Sequence, residues 1–132
     1  MIDDTAFRIF LLLHIASIAV AFAPAVLAVV PGGDDGATAT LSRVGRTVYA
    51  PALILAGLFG ILCIVTSDEL FAFDQTWISL ALLVWIAMNG VLHAMVLMGQ
   101  RNDDAARVQT GQQILTVLFL VMLYLMIWKP GW

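Results

Sequence analysis

Four stretches of this 132-residue chain contain no Asp, Glu, Lys or Arg: Ile9–Gly33, Thr47–Ser67, Gln75–Gln100 and Val108–Trp128, running 25, 21, 26 and 21 residues. Crossing a hydrocarbon layer of ~30 Å at 1.5 Å per residue takes about 20 residues, so each stretch is long enough to span a bilayer as a helix. The expected fold is all-α: a polytopic membrane protein built as an antiparallel four-transmembrane-helix bundle. It forms a single domain over residues 1–132, with spans at about 6–30, 47–67, 75–100 and 108–128. Composition points the same way, at 62% hydrophobic and 11% charged. A soluble domain has roughly 45–50% apolar and about 25% charged residues, and one of this length has no core large enough to hide the surplus. The expected solvent is the lipid bilayer. A net charge of −3 supplies no cationic patch to neutralise phosphates, which excludes nucleic-acid binding.

The connections carry the chemistry that breaks helices. Asp3, Asp4 and Thr5 are placed to cap the first helix and put negative charge at its positive end. An acidic start followed by so long an apolar run reads as a retained span and not as a secretory leader. Pro31-Gly32-Gly33-Asp34-Asp35-Gly36 stops that helix, Tyr49-Ala50-Pro51 opens the second, and Pro130-Gly131 ends the last. Basic residues fall unevenly. Arg43, Arg46, Arg101 and Arg107 lie in the connections between spans one and two and between three and four, against Arg8 and Lys129 on the other side. By the positive-inside rule, these loops are expected in the cytoplasm and both termini outside the cell membrane. Trp77, Trp128, Trp132, Phe71 and Phe73 would then form an outer aromatic belt, and Tyr49 would mark the inner one.

Within the spans the titratable side chains are His14 and His93, apart from Cys63 and the tyrosines Tyr49 and Tyr124. Ionisable groups in a bilayer are functional candidates by default, and two imidazoles invite a haem clamped between helices one and three. Their depths argue against a shared iron. Measured from each span's midpoint they sit about 13 Å apart along the bilayer normal at 1.5 Å per residue. Each is therefore a cofactor candidate only singly, and otherwise an ordinary hydrogen-bonding contact between helices. Polar residues that would line a small hydrated cavity are Ser17, Ser79, Asn89, Gln112 and Gln113, with Gln100, Thr110 and Thr116 near the same helix ends.

Small residues mark packing faces. Ser17, Ala21 and Ala25 recur every four residues in helix one, as do Ala52, Ala56 and Gly60 in helix two. Such stripes let backbones approach closely, so helix one is expected to pack on helix two. Pro24 is expected to kink the first helix. Met88, Met95, Met98, Met122 and Met126 are thioethers at helical spacing, read as core filler in preference to a copper path. A single cysteine excludes an internal disulfide. No nucleophile with an adjacent base, no intramembrane acid and no glycine-rich phosphate cradle is present. A four-span drug–proton exchanger would need an acid in its first helix, where this chain has His14.

Three runs carry a resemblance to a known family. Leu13-His14-Ile15-Ala16-Ser17-Ile18-Ala19-Val20-Ala21-Phe22-Ala23-Pro24, Val48-Tyr49-Ala50-Pro51-Ala52 and Tyr124-Leu125-Met126-Ile127-Trp128-Lys129-Pro130-Gly131 resemble the bacterial integral membrane protein family designated domain of unknown function 2269. The resemblance implies a four-helix membrane protein with a histidine in helix one and no assigned activity. It is distantly similar to copper-resistance and haem-pathway membrane families, whose further histidines, arginines and tryptophans find no match here. From the residues themselves, the leading expectation is a small structural or accessory subunit of a larger membrane assembly, or a homo-oligomer. The alternatives are a haem or redox cofactor binder using His14 or His93, and a small-solute carrier.

Overall fold

The computed structural model describes residues 4–28 and 45–131. Among them there is no strand, and four helices are long and apolar enough to cross a membrane. We denote them α1 (Asp4–Ala28), α2 (Ala50–Val65), α3 (Thr76–Arg101) and α4 (Ala105–Trp128). The predicted turn at 31–36, Arg43, and the outer residues Asp3 and Trp132 lie outside the described residues, and the side chain of Ala25 is not described.

Local chemistry explains where the helices begin and end. α2 is entered through a π-helical turn, Gly45–Tyr49, so helical winding starts before the expected opening at Tyr49. Pro51 supplies the reason: its ring crowds the carbonyl four residues earlier and it has no N–H to give, which favours a wider turn upstream. α1 continues as helix through Pro24 to Ala28. In the connection between α2 and α3, the buried Ser67 hydroxyl donates to the Ile64 carbonyl at 2.7 Å and accepts the Phe71 N–H at 2.9 Å. Residues Asp68 and Glu69 take left-handed backbone angles there, and Phe71 is turned back over the end of the bundle. Asp104 caps α4 by accepting the Arg107 N–H at 3.1 Å, and α4 ends at Lys129, left-handed at φ 44°, whose N–H reaches the Leu125 carbonyl.

The bundle is two tight helical hairpins. α1 packs chiefly on α2 and α3 chiefly on α4, while direct contact between the pairs is sparse. The second hairpin closes on glycine: a Cβ at Gly111 of α4 would meet Met95 Cβ at 2.8 Å and Val96 Cγ2 at 2.9 Å. At that level α3 winds as a π-helix over Leu92–Leu97, and Leu92, Val96 and Leu115 are almost wholly buried. These side chains join Ala21, Tyr49, Ala50, Ala52, Leu53 and Met88 in one core that ties the hairpins together at the end carrying the α3–α4 turn. Outward faces are apolar too, with Leu12, Val65, Leu83, Val117 and Ile127 each more than half exposed. No more than 33% of any span is buried within the protein, the expected distribution when the solvent is hydrocarbon.

Two of the expected belt residues, Trp77 and Tyr49, are buried, at 5% and 6% exposure, so they pack against the bundle near its ends. Trp77 is covered because Phe71 meets it edge-on at 5.6 Å and its Nε1–H is already bonded to Gln75 Oε1 at 3.0 Å. Tyr49 joins the core at the foot of α2. Phe73 and Trp128 are exposed as expected.

Candidate functional site: a chamber between the two hairpins

Because the hairpins meet closely only at one end, a chamber of about 290 Å³ remains between them. Its floor is made by Ala21, Phe22, Tyr49, Met88 and Phe119, with Phe22 and Phe119 stacked at 4.1 Å across α1 and α4. Its roof is aromatic. Phe71 lies between Phe7, at 6.4 Å, and Trp77, and the Lys129 ammonium sits 4.8 Å from the Phe71 ring centre and 5.5 Å from that of Trp77. A cation over two ring faces, at the C-terminal end of α4, is doubly favoured by the ring quadrupoles and by the helix dipole.

Helix α2 shapes the wall through two glycines. Trp85 of α3 donates its indole N–H to the Leu53 carbonyl at 2.8 Å, and the Nδ1 of His14 on α1 lies 2.6 Å from the Ala56 carbonyl. In a regular helix each of these carbonyls already serves the N–H four residues on, which belongs to Gly57 and Gly60 respectively. A carbonyl oxygen has a second lone pair, and a glycine at the fourth position removes the Cβ that would screen it. The geometry bears this out: a Cβ on Gly57 would fall inside the Trp85 indole, and one on Gly60 would approach His14 Cε1 to 3.0 Å. Two aromatic rings, from α1 and α3, thus reach the α2 backbone through neighbouring notches.

The expected site residues are dispersed. His14 lines the chamber, whereas His93 is exposed on the outside of α3, its Nδ1 at 2.8 Å from the Asn89 carbonyl of its own helix. His14 stands level with Gly60, and His93 lies eight residues past Trp85 toward the opposite end, about 12 Å at 1.5 Å per residue, so they share no ligand. The polar-cavity set is not assembled. Ser79 bonds the Phe73 carbonyl in the loop, Asn89 bonds the Trp85 carbonyl, Gln113 is exposed, and none of Ser17, Ser79, Asn89, Gln112 or Gln113 lines the chamber. Ser79 and Asn89 thus donate to nearby backbone carbonyls, the usual competitor to a cavity-facing role. Of the packing residues, Ala21, Ala52 and Ala56 are buried and Gly60 lies beneath the His14 ring. Met88, Met122 and Met126 line the chamber, while Met98 is exposed.

Sequence reasoning missed Trp85, Gly57, Ser67 and Lys129. The glycine signal was present: Gly57 and Gly60 stand three apart in α2, one turn after the two carbonyls that accept.

With haem as the test case, the chamber sits at the lower edge of the ~300–1,000 Å³ typical of small-molecule pockets, which suits one ring system and not a tetrapyrrole. No family model, curated protein or solved structure matches the chain. The family resemblance therefore rests on its three sequence runs alone.

Proposed function

We propose that this protein is a multi-pass cell-membrane protein, both termini outside, that binds a small apolar molecule in the chamber between its hairpins with His14 as the polar anchor. One observation carries the reading. Among the described residues, the chamber is walled by all four helices, His14 is one of its lining residues, and its Nε2 has no protein hydrogen-bond partner. An apolar site with very few placed polar groups is the common form of a small-ligand pocket. The arginines that share one end of the antiparallel hairpins, Arg46, Arg101 and Arg107, support the orientation. Fluorobenzene titrated into the protein in lipid nanodiscs, followed by fluorine NMR against protein-free discs, tests the binding. Saturable binding that disappears in Ala81→Leu, a residue of the chamber wall, is expected. A purely linear partition identical with and without protein overturns it.

A second reading, an accessory subunit of a larger assembly, is favoured by His93. An imidazole in mid-span that faces away from its own bundle is costly in hydrocarbon and is normally covered by protein. Recovery from mild detergent as a lone monomer with no associated chain would remove this reading.

A further inference from the structure

We infer that the ligand of the chamber is a hydroxylated aromatic ring, a phenol or hydroquinone, whose O–H donates to Nε2 of His14. This deepens the ligand-binding reading and rests on it. The proton assignment comes first. A backbone carbonyl can only accept, so the 2.6 Å contact with the Ala56 oxygen places a proton on Nδ1. In the neutral imidazole Nε2 is then a lone-pair acceptor, and the α2 carbonyl fixes both the tautomer and the ring plane. A doubly protonated ring would call for a nearby acid, and no Asp or Glu is among the described residues that line the chamber. The site therefore asks its ligand for a hydrogen-bond donor. It offers neither an acid to a cation nor a donor at His14 to a carboxylate.

The walls specify the rest of the molecule. Trp85, Phe71 and Phe119 supply ring faces and edges, and Met88, Met122 and Met126 supply polarisable thioethers, partners that favour another π-system over a saturated chain. Size agrees: an apolar cavity of about 150 Å³ is enough for benzene, and this chamber of 290 Å³ has room for one substituted ring. Lys129, held over Phe71 and Trp77, closes the far end. Two sources share this chemistry, a membrane-borne hydroquinone with an apolar tail and a water-borne phenol.

The full chain in nanodiscs is titrated with 4-fluorophenol, 4-fluoroanisole and fluorobenzene, each referred to its concentration in the lipid of protein-free discs. One hydrogen bond that only the phenol can make predicts a preference for it over the anisole of about three- to tenfold. His14→Leu should erase that preference, so that the phenol and the anisole bind alike. Should this variant fail to fold, the nitrogen-15 resonance of His14 Nε2 in the unaltered protein gives the same answer: it shifts when phenol binds and stays still with anisole. Equal affinities for all three probes, with an unmoved resonance, overturn the hydroxyl assignment and leave the apolar-ligand reading standing. Absence of saturable binding by any probe overturns both. A decyl-tailed hydroquinone that binds more tightly than 4-fluorophenol identifies the membrane-borne source, and equal binding identifies the ring alone as the ligand.

Discussion

Alanine at Gly57 tests whether the two hairpins are joined through the notch on α2. The added Cβ would lie within the indole of Trp85, against Cε2, Cζ2 and Nε1, and the indole cannot yield without releasing the Leu53 carbonyl. If the ring stays and the helices shift, overpacking costs about 1–3 kcal/mol. If the ring swings away, a buried indole N–H loses its partner at a comparable cost of about 1–3 kcal/mol. Against either loss stands the intrinsic gain of replacing a helical glycine by alanine, about 0.5–1 kcal/mol. The net expectation is a destabilisation of about 1–2 kcal/mol. Gly90→Ala serves as the control, because nothing lies within 4 Å of a Cβ at that position and only the propensity gain applies. Reversible unfolding in mixed detergent micelles measures the difference between the two variants, and the indole N–H resonance of Trp85 reports the contact directly. Gly57→Ala as stable as Gly90→Ala, with that resonance unmoved, would refute the notch as the join between hairpins.

Three further perturbations probe other parts of the bundle. Gly111→Ala should destabilise by about 1–3 kcal/mol, because its Cβ meets the Cβ of Met95, an atom that cannot move without the α3 backbone; the same unfolding assay reads it. The buried Cys63 thiol should resist a bulky maleimide in the folded protein and react fully after denaturation in SDS, as followed by mass spectrometry. Lys129→Met should lose the ammonium's attraction to the Phe71 and Trp77 rings, about 0.5–1 kcal/mol, and broaden the Trp77 indole resonance as the roof loosens.

The candidate site was only partly legible in the sequence. His14 drew attention because an ionisable group in a span is expensive, and the same argument selected His93 with equal force. Nothing local separates them. Both place Nδ1 on a helix carbonyl, but for His14 that carbonyl belongs to Ala56 of α2, and for His93 it belongs to Asn89 of its own helix. Asn89, Ser79 and Gln113 look alike as polar side chains in apolar runs, yet the Asn89 amide and the Ser79 hydroxyl donate to nearby backbone carbonyls and Gln113 is exposed, and none of the three lines the chamber.

What the sequence determined by itself is the number and extent of the helices, because a charge in hydrocarbon costs enough that its absence over 20 or more residues is a span in its own right. It also placed the opening of the second helix near Tyr49-Ala50-Pro51 and the end of the last before Pro130-Gly131. Which face of each span meets protein was decided by tertiary structure alone. In a soluble bundle polarity labels the outer face, but these helices are apolar all round and lipid is as good a neighbour for leucine as leucine is, so hydrophobicity carries no direction. Direction came from shape and from single hydrogen bonds: Gly57 and Gly60 admitting Trp85 and His14 to the α2 backbone, and Gly111 admitting Val96. The His14 and Gly111 contacts close each hairpin, Trp85 on α2 and the core around Leu92 and Leu115 join one hairpin to the other, and the chamber is the space that remains.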